Sequence, residues 1–294
     1  MKKKTDSLRK IGLIANFDKA AGREVVSRAA ALITRAKRTV IAEFKTAGLA
    51  GLRCPTFTSP VALAREADLL LVFGGDGTML RAVHEIHGVD TPILGINVGR
   101  LGFLTAISSN DLEESLEKIW ERNYVIESRP LIEANGHCLG KGIHMFAFND
   151  IVVSHGAVSR VIELDVQVDN RPLTRYRGDG LIVSSPTGST AYSLSAGGPI
   201  ISPEARVFAI TPICPHAISN RSVVISSNSS VQVKLLSRGM ETIVAADGQV
   251  QATLGMDDAI TIHRSRRSAK LLHLGDSSFF AAVRKKLHWS GSSV

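Results

Sequence analysis

The chain has 294 residues, 44% of them apolar and 21% charged, with a formal net charge of +8. That length suffices for one large or two ordinary domains with real cores. No apolar run reaches the ~18 residues of a membrane helix, and only a strand-length apolar run follows the basic start, so neither a membrane span nor a secretory signal is expected. Three cysteines, Cys54, Cys138 and Cys214, lie far apart. An odd count without a C-x-x-C pair argues against a disulfide framework and for a reducing cytoplasm, with the thiols as small core fillers. The positive balance fits polyanionic partners, nucleic acid among them. The densest basic cluster is His263-Arg264-Ser265-Arg266-Arg267, and no long basic block exists. Small polyphosphate substrates explain the same balance.

In chain order, residues 11–15 read as a short buried strand. Residues 24–45, rich in Ala, Arg and Leu and free of Gly and Pro, read as helical. An apolar run, 68–73, predicts a buried strand that ends in Gly74-Gly75-Asp76-Gly77-Thr78, and residues 79–86 then suit a helix. Residues 92–97 form another buried-strand pattern, and 111–122 an amphipathic helix with Leu112, Leu116 and Ile119 on one face. Strands alternating with helices predict a parallel α/β sheet. A ligand then belongs at the carboxyl ends of the strands, where Asp76 and Asn97 both fall.

The stretch Gly74–Thr78 is the most informative in the chain. Glycines let backbone approach a ligand without a Cβ in the way. A helix start adds unpaired N–H groups and the positive dipole end, a seat for phosphate. A carboxylate in such a loop repels phosphate unless it has work to do, as a general base or a metal contact. The plain alternative is a tight turn with Asp76 as helix cap.

After Tyr124 the pattern changes. Residues 162–169 alternate apolar and polar, and Asn170-Arg171-Pro172 reads as a turn. Further strand candidates are 146–153, 180–184, 222–226, 231–236 and 242–246, which together predict a mostly antiparallel β domain. Residues 277–287 turn helical again and are expected to return to the first domain. The expected division is an α/β domain over 1–125, joined by the tail 272–294, and a β-rich domain over 126–271.

A second polar constellation spans 177–200. A Gly178-Asp179-Gly180 string precedes a strand, and Thr187, Gly188, Ser189 and Thr190 follow it. Hydroxyls and open backbone amides suit ribose and phosphate oxygens. Tyr192 offers a flat face with a polar tip. Asn149-Asp150, an amide beside a carboxylate, is able to grip two ribose hydroxyls.

Taken jointly, these motifs resemble the NAD kinase family. The residues that carry the likeness are Gly74–Leu80, Asn149-Asp150-Ile151-Val152, the run Gly178–Gly198, Ile213–Arg221 and Asp247-Gly248-Gln249. The first motif alone is shared with diacylglycerol-kinase-like and phosphofructokinase-like enzymes, whereas the run 178–198 is far more specific. The resemblance implies a Rossmann-like α/β domain and a β-rich domain. It implies transfer of the γ-phosphate of ATP to the 2′-hydroxyl of the adenosine ribose of NAD, giving NADP, with a divalent metal ion, usually magnesium. It also implies a homodimer or homotetramer. Asp76 matches the base. Gly74, Gly75, Gly77, Thr78 and Arg81 match the phosphate and ATP side. Gly77, Asn149, Asp150, Thr190, Ala191, Tyr192, Ser193, Leu194, Ser195 and Gln249 match NAD-binding positions. Arg160, Arg177 and Asp179 match positions at the nicotinamide side or a subunit boundary. Ser222 stands where many members have proline.

Phosphoryl transfer asks for alignment and charge neutralisation more than covalent help. An ordinary carboxylate is a weak base at neutral pH, so Asp76 is expected to orient the hydroxyl and take its proton late. Two other classes share parts of the pattern. A lipid kinase with the same glycine loop needs an acyl pocket, which the hydroxyl-rich run argues against. A non-catalytic dinucleotide-binding regulator would turn its charge on nucleic acid, but no DNA- or RNA-binding motif is present. Walker A, G-x-S-x-G and H-E-x-x-H patterns are absent.

Overall fold

The computed structural model describes residues 8–16, 20–99, 102–105, 107–158, 160–275 and 279–289. The chain divides into two compact units, 1–128 with 269–294, and 129–268.

The first unit is built on a parallel sheet. Its strands run in the order Ile93–Asn97, Leu69–Gly74, Lys10–Ala15, Thr39–Glu43, Thr56–Phe57. The central strands are apolar on both faces because helices cover both. On one face Val26, Ala29 and Ile33 of helix Ala20–Arg35, with Leu112, Leu116 and Ile119 of helix Leu112–Trp120, close over Leu13, Leu71 and Leu94. Helices Pro60–Glu66 and Asp76–Glu85 supply further buried side chains, Leu63, Ala64, Met79 and Val83. The helix expected over 24–45 is a correction. It stops at Arg35, and Thr39–Glu43 is a buried strand followed by a short helix, Phe44–Ala50. Lys37, at φ +57°, turns the chain without a glycine to mark the break.

The C-terminal tail belongs to this unit. Leu271 pairs in parallel with Ile93, and helix Phe279–Lys286 sets the Lys286 ammonium 5.2 Å from the Phe103 ring centroid. That distance permits a cation–π contact.

The second unit is antiparallel. One sheet runs Val223–Ser226, Val207–Ile213, Gly180–Ser184, Asp150–His155, Thr242–Ala246, Gln249–Leu254. The other holds Arg171–Gly178, Ile162–Val168, Val231–Leu235 and the first part of Ala259–His273, with Val125–Cys138 and Lys141–Ala147 alongside. One core joins them: Leu164, Val166, Val233 and Ile262 from the second sheet meet Ile151, Val153, Leu181, Val183 and Val244 from the first. The α/β unit and the antiparallel β unit are the two classes expected from periodicity. The single strand expected over 146–153 is instead two, Lys141–Ala147 and Asp150–His155, interrupted at Phe148 and Asn149. The long strands Val125–Cys138 and Ala259–His273 escaped the pattern, because their exposed faces carry so many polar side chains.

Candidate active site

In the first unit, strand Leu69–Gly74 runs straight into helix Asp76–Glu85, with Gly75 as its cap residue. Asp76 is therefore not the cap but the first helical residue. Its carboxylate is held by the facing loop: Phe103 N–H donates to Oδ2 at 2.8 Å and Leu104 N–H to Oδ1 at 3.0 Å. Among the described residues these bonds use two of roughly four lone-pair sites on the carboxylate, which leaves sites able to accept from a hydroxyl. Gly102 makes this approach possible, since a Cβ there would sit 2.7 Å from Asp76 Oδ2 and overlap Oδ1. Asn97, buried at the end of the neighbouring strand, braces the same loop. Its Oδ1 accepts from Gly99 N–H at 2.6 Å and its Nδ2 donates to Thr105 Oγ1 at 3.1 Å. The Gly102 N–H also donates to Thr105 Oγ1, at 3.1 Å.

The glycines of the loop serve different ends. A Cβ on Gly74 would lie 2.7 Å from Thr78 Cβ, so Gly74 is there to let Thr78 pack. At Gly75 and Gly77 an added Cβ would meet no described protein atom within 4 Å. Among the described residues no packing contact requires glycine at those two positions, which leaves room for a ligand against the backbone. Arg81, on the same helix, is engaged inside the unit: Nη1 faces Glu43 Oε1 at 3.3 Å, and Nη2 donates to the Ala15 carbonyl at 3.2 Å. Glu43 is buried and also accepts from Thr46 Oγ1 at 2.9 Å.

In the second unit the structure brings Asn149, Asp150, the 185–190 segment and Asp247–Gln249 together. Ser184 pairs with Asp150 and Ala246 with Gln249. The Asn149 carbonyl accepts from Ser185 N–H at 2.8 Å, and Ser185 Oγ donates to the Phe148 carbonyl at 2.6 Å. Most hydroxyls of this run are directed inward. Ser189 Oγ bonds the Pro186 carbonyl at 2.7 Å, and Ser193 Oγ bonds Thr211 Oγ1 at 3.1 Å, both buried. Thr190 Oγ1 donates to the Thr187 carbonyl at 3.2 Å. The short helix Tyr192–Ser195 follows, with Ala191 before it half-buried, Leu194 half-buried, Ser195 exposed and Tyr192 47% exposed. Gln249 is exposed at the start of its strand.

Arg160, Arg177 and Asp179 lie elsewhere. Gly180 pairs with Ser154 while Ser184 pairs with Asp150, so Asp179 and Asp150 stand at opposite ends of neighbouring strands. At about 3.4 Å per residue that is more than 10 Å. Arg160 and Arg177 are exposed, and Arg177 is opposite Glu163 in register. Near Asp179 lies Cys214, with φ +44° and exposed, which corrects the expectation of a core-filling thiol; only Cys138 is buried. A hydrogen bond with the Asp179 carboxylate pushes the Cys214 thiol up.

Asp150 is 4% exposed. Burial, and then the charge of Asp247, raises its carboxyl to about 7. The unfolded chain would titrate it at about 3.9. Between those values the folded state holds a proton that the unfolded chain has lost, so stability falls as pH rises through that window. The contribution is whole below about 4 and gone above about 7. The expected result is a wild-type Tm that declines from about pH 4 to 7 and a flatter profile in Asp150→Asn, read by scanning calorimetry. Equal slopes would contradict it.

Residues 11–124 match the ATP-NAD kinase N-terminal domain, and residues 148–274 the ATP-NAD kinase C-terminal domain. The chain belongs to the NAD kinase family. An NAD kinase of Moorella thermoacetica is 41% identical over 286 residues, covering 97% of this chain and 91% of the relative. One from Natranaerobius thermophilus is 40% identical over 281 residues, 95% and 98% of the two chains. Among solved structures, an Archaeoglobus fulgidus NAD kinase in complex with ATP superposes with a TM-score of 0.75 at 28% identity, covering 96% of this chain and all of that one. Yeast NADH kinase complexed with NADH reaches a TM-score of 0.89 over 99% of this chain and 90% of that one, at 24% identity, and speaks for the fold. Two parts of the candidate site escape a linear reading: the Phe103 and Leu104 amides that hold Asp76, and the Asp247 carboxylate. The Gly99 and Gly102 pair after a buried strand was the available signal for the first. For the second, Asp247-Gly248 was visible as a motif, but its side chain's partners were not.

Proposed function

We infer that this chain transfers the γ-phosphate of ATP to the 2′-hydroxyl of the adenosine ribose of NAD, forming NADP. The observation that carries this reading is the Asp76 carboxylate, fixed by two amides at the head of a helix behind glycines that face open space. Gly74, Gly75, Gly77 and Thr78 hold triphosphate oxygens at the helix start. Asp76 accepts the hydroxyl proton as the oxygen attacks phosphorus. Asn149 and Asp150 grip ribose hydroxyls, Thr190 to Ser195 wrap the dinucleotide and Gln249 adds a contact. Arg160, Arg177 and Asp179 serve the nicotinamide side or a subunit boundary, which suits the place of Asp179 at the opposite end of its strand pair from Asp150. Arg81 belongs to the phosphate side in this reading, with its guanidinium also tethering the helix to Glu43.

No group of three His, Cys, Asp or Glu side chains able to hold a metal occurs among the described residues. A magnesium ion would need no such cluster, since it keeps several waters and is held by one or two carboxylates plus substrate phosphates. The triphosphate on the glycine loop would carry it, with Asp76 the one carboxylate of that loop. Bound there, the ion neutralises charge developing on the phosphates. A homodimer or homotetramer and a cytoplasmic setting complete the reading, the latter supported by three cysteines that are all free. The test is an initial-rate assay with ATP, magnesium and NAD, and a parallel arm with diacylglycerol. NADP formation is expected; a phosphorylated lipid and no NADP would overturn the reading.

A further inference from the structure

Asp247 lies 97 to 99 positions from residues 148–150, yet its carboxylate accepts hydrogen bonds from three successive backbone amides there. Phe148 N–H donates to Oδ2 at 2.7 Å, and the N–H groups of Asn149 and Asp150 donate to Oδ1 at 2.7 and 3.1 Å. The Asp247 N–H returns a bond to the Asp150 carbonyl at 3.0 Å. Three amides turned on one anion form a backbone nest, and bonds to a charged acceptor are the stronger kind. The break between strands Lys141–Ala147 and Asp150–His155 falls at this nest. Asp247 itself sits in a two-residue hairpin turn between Thr242–Ala246 and Gln249–Leu254, with φ +50° and Gly248 at +78°. Asp-Gly suits a turn with both central residues left-handed.

We propose that Asp247 is a positioning residue for the reaction: its carboxylate fixes the bend that presents the Asn149 and Asp150 side chains to the acceptor ribose. The proposal rests on the reading of that pair as ribose-binding and goes beyond it by naming what aims the pair. Asp247 touches no substrate in this scheme. It acts through backbone that would otherwise be free to continue as one strand, with Asn149 turned to the opposite side of the sheet from its pleat neighbours.

The same carboxylate also sets the charge state of the pair. Within the second unit, strands Gly180–Ser184 and Thr242–Ala246, which flank Asp150, carry no ionisable residue, and neither does the 185–190 turn. Asp247 is thus the charged group that faces Asp150 there, and it raises the carboxyl in concert with burial. A ribose hydroxyl donates to the ionised form of Asp150. Affinity for NAD therefore improves as pH rises through about 7.

The experiment measures KM for NAD, KM for ATP and kcat against pH in the full-length enzyme and in Asp247→Asn, Asp247→Ala and Asp150→Asn. Asn-Gly also favours the hairpin turn, so Asp247→Asn keeps the fold while it removes the charge and one of the acceptor oxygens. It is expected to raise KM for NAD at least about 10-fold with kcat within about threefold, and to move the inflection of the KM profile to lower pH. Asp247→Ala is expected to raise KM for NAD further, or to fail to fold, in which case Asp247→Asn decides. An Asp247→Asn enzyme with a wild-type KM and an unmoved inflection, alongside an Asp150→Asn enzyme impaired in NAD binding, overturns the positioning role alone. If Asp150→Asn itself leaves KM for NAD unchanged, the ribose-binding reading falls and takes this proposal with it.

Discussion

Asp76→Asn is expected to lower turnover by at least ~100-fold, the scale of losing a general base. The amide keeps the volume of the carboxylate and removes the oxygen that receives the proton. The structure adds a second consequence. Both carboxylate oxygens of Asp76 accept backbone N–H groups, from Phe103 and Leu104. In the amide variant one of these oxygens is replaced by an NH2 group facing a donor, and an unmade bond of this kind costs about 1–3 kcal/mol. The variant should therefore show a lowered Tm as well as a lowered kcat, with KM for NAD and ATP little changed. Initial rates of NADP formation and a thermal melt on the same preparation separate the two effects. A folded Asp76→Asn enzyme that turns over at close to the wild-type rate would remove Asp76 from the chemistry.

Gly188→Ala is the second large expectation, and it acts through shape. The added Cβ would lie 2.6 Å from Asn149 Cα and nearer still to the Asn149 carbonyl. All of these are backbone atoms, so no rotamer change relieves the contact. Either the Thr187–Thr190 turn or the Phe148–Asn149 bend must move. Overpacking of this kind costs about 1–3 kcal/mol, sometimes more. For a protein of this size that corresponds to roughly 2–4 °C in Tm per kcal/mol. Because Asn149 moves with the clash, KM for NAD should rise several-fold or more in the same variant. A Tm and a KM that both match the parent would show that the 188–149 contact is looser than the structure has it.

Strand Leu69–Gly74, the glycine loop and the helix after it were legible because buried parallel strands are continuous apolar runs and glycines punctuate them. The alternation over Ile162–Val168 was legible for the opposite reason, one face wet and one dry. Strand Thr39–Glu43 was hidden inside a helix reading, since Thr39-Val40-Ile41-Ala42 follows a helix without any glycine or proline between them. The basic cluster at 263–267 lies within strand Ala259–His273, where Ser265 is buried between exposed Arg264 and Arg266. Within the site, Asp76, Asn149 and Asp150 stood out as side chains in motifs. What holds them did not, because Phe103, Leu104 and Phe148 contribute amides, and an amide is the same in every residue. Only the carboxylate end of such a bond has a letter in the sequence, and at Asp247 that letter gives no hint of partners nearly a hundred residues away.

The first unit is not contiguous: it is made of 1–128 and 269–294. On a ribosome this reverses the usual order of events, in which the leading domain folds while the rest is still being made. All of 129–268 has been synthesised before Leu271, the residue that pairs beside Ile93. The contact of Lys286 with Phe103, whose amide steadies Asp76, comes later still. The part of the chain translated first is thus the last to be finished, and the tail's contact with Phe103, beside Asp76, forms only after the tail has left the exit tunnel.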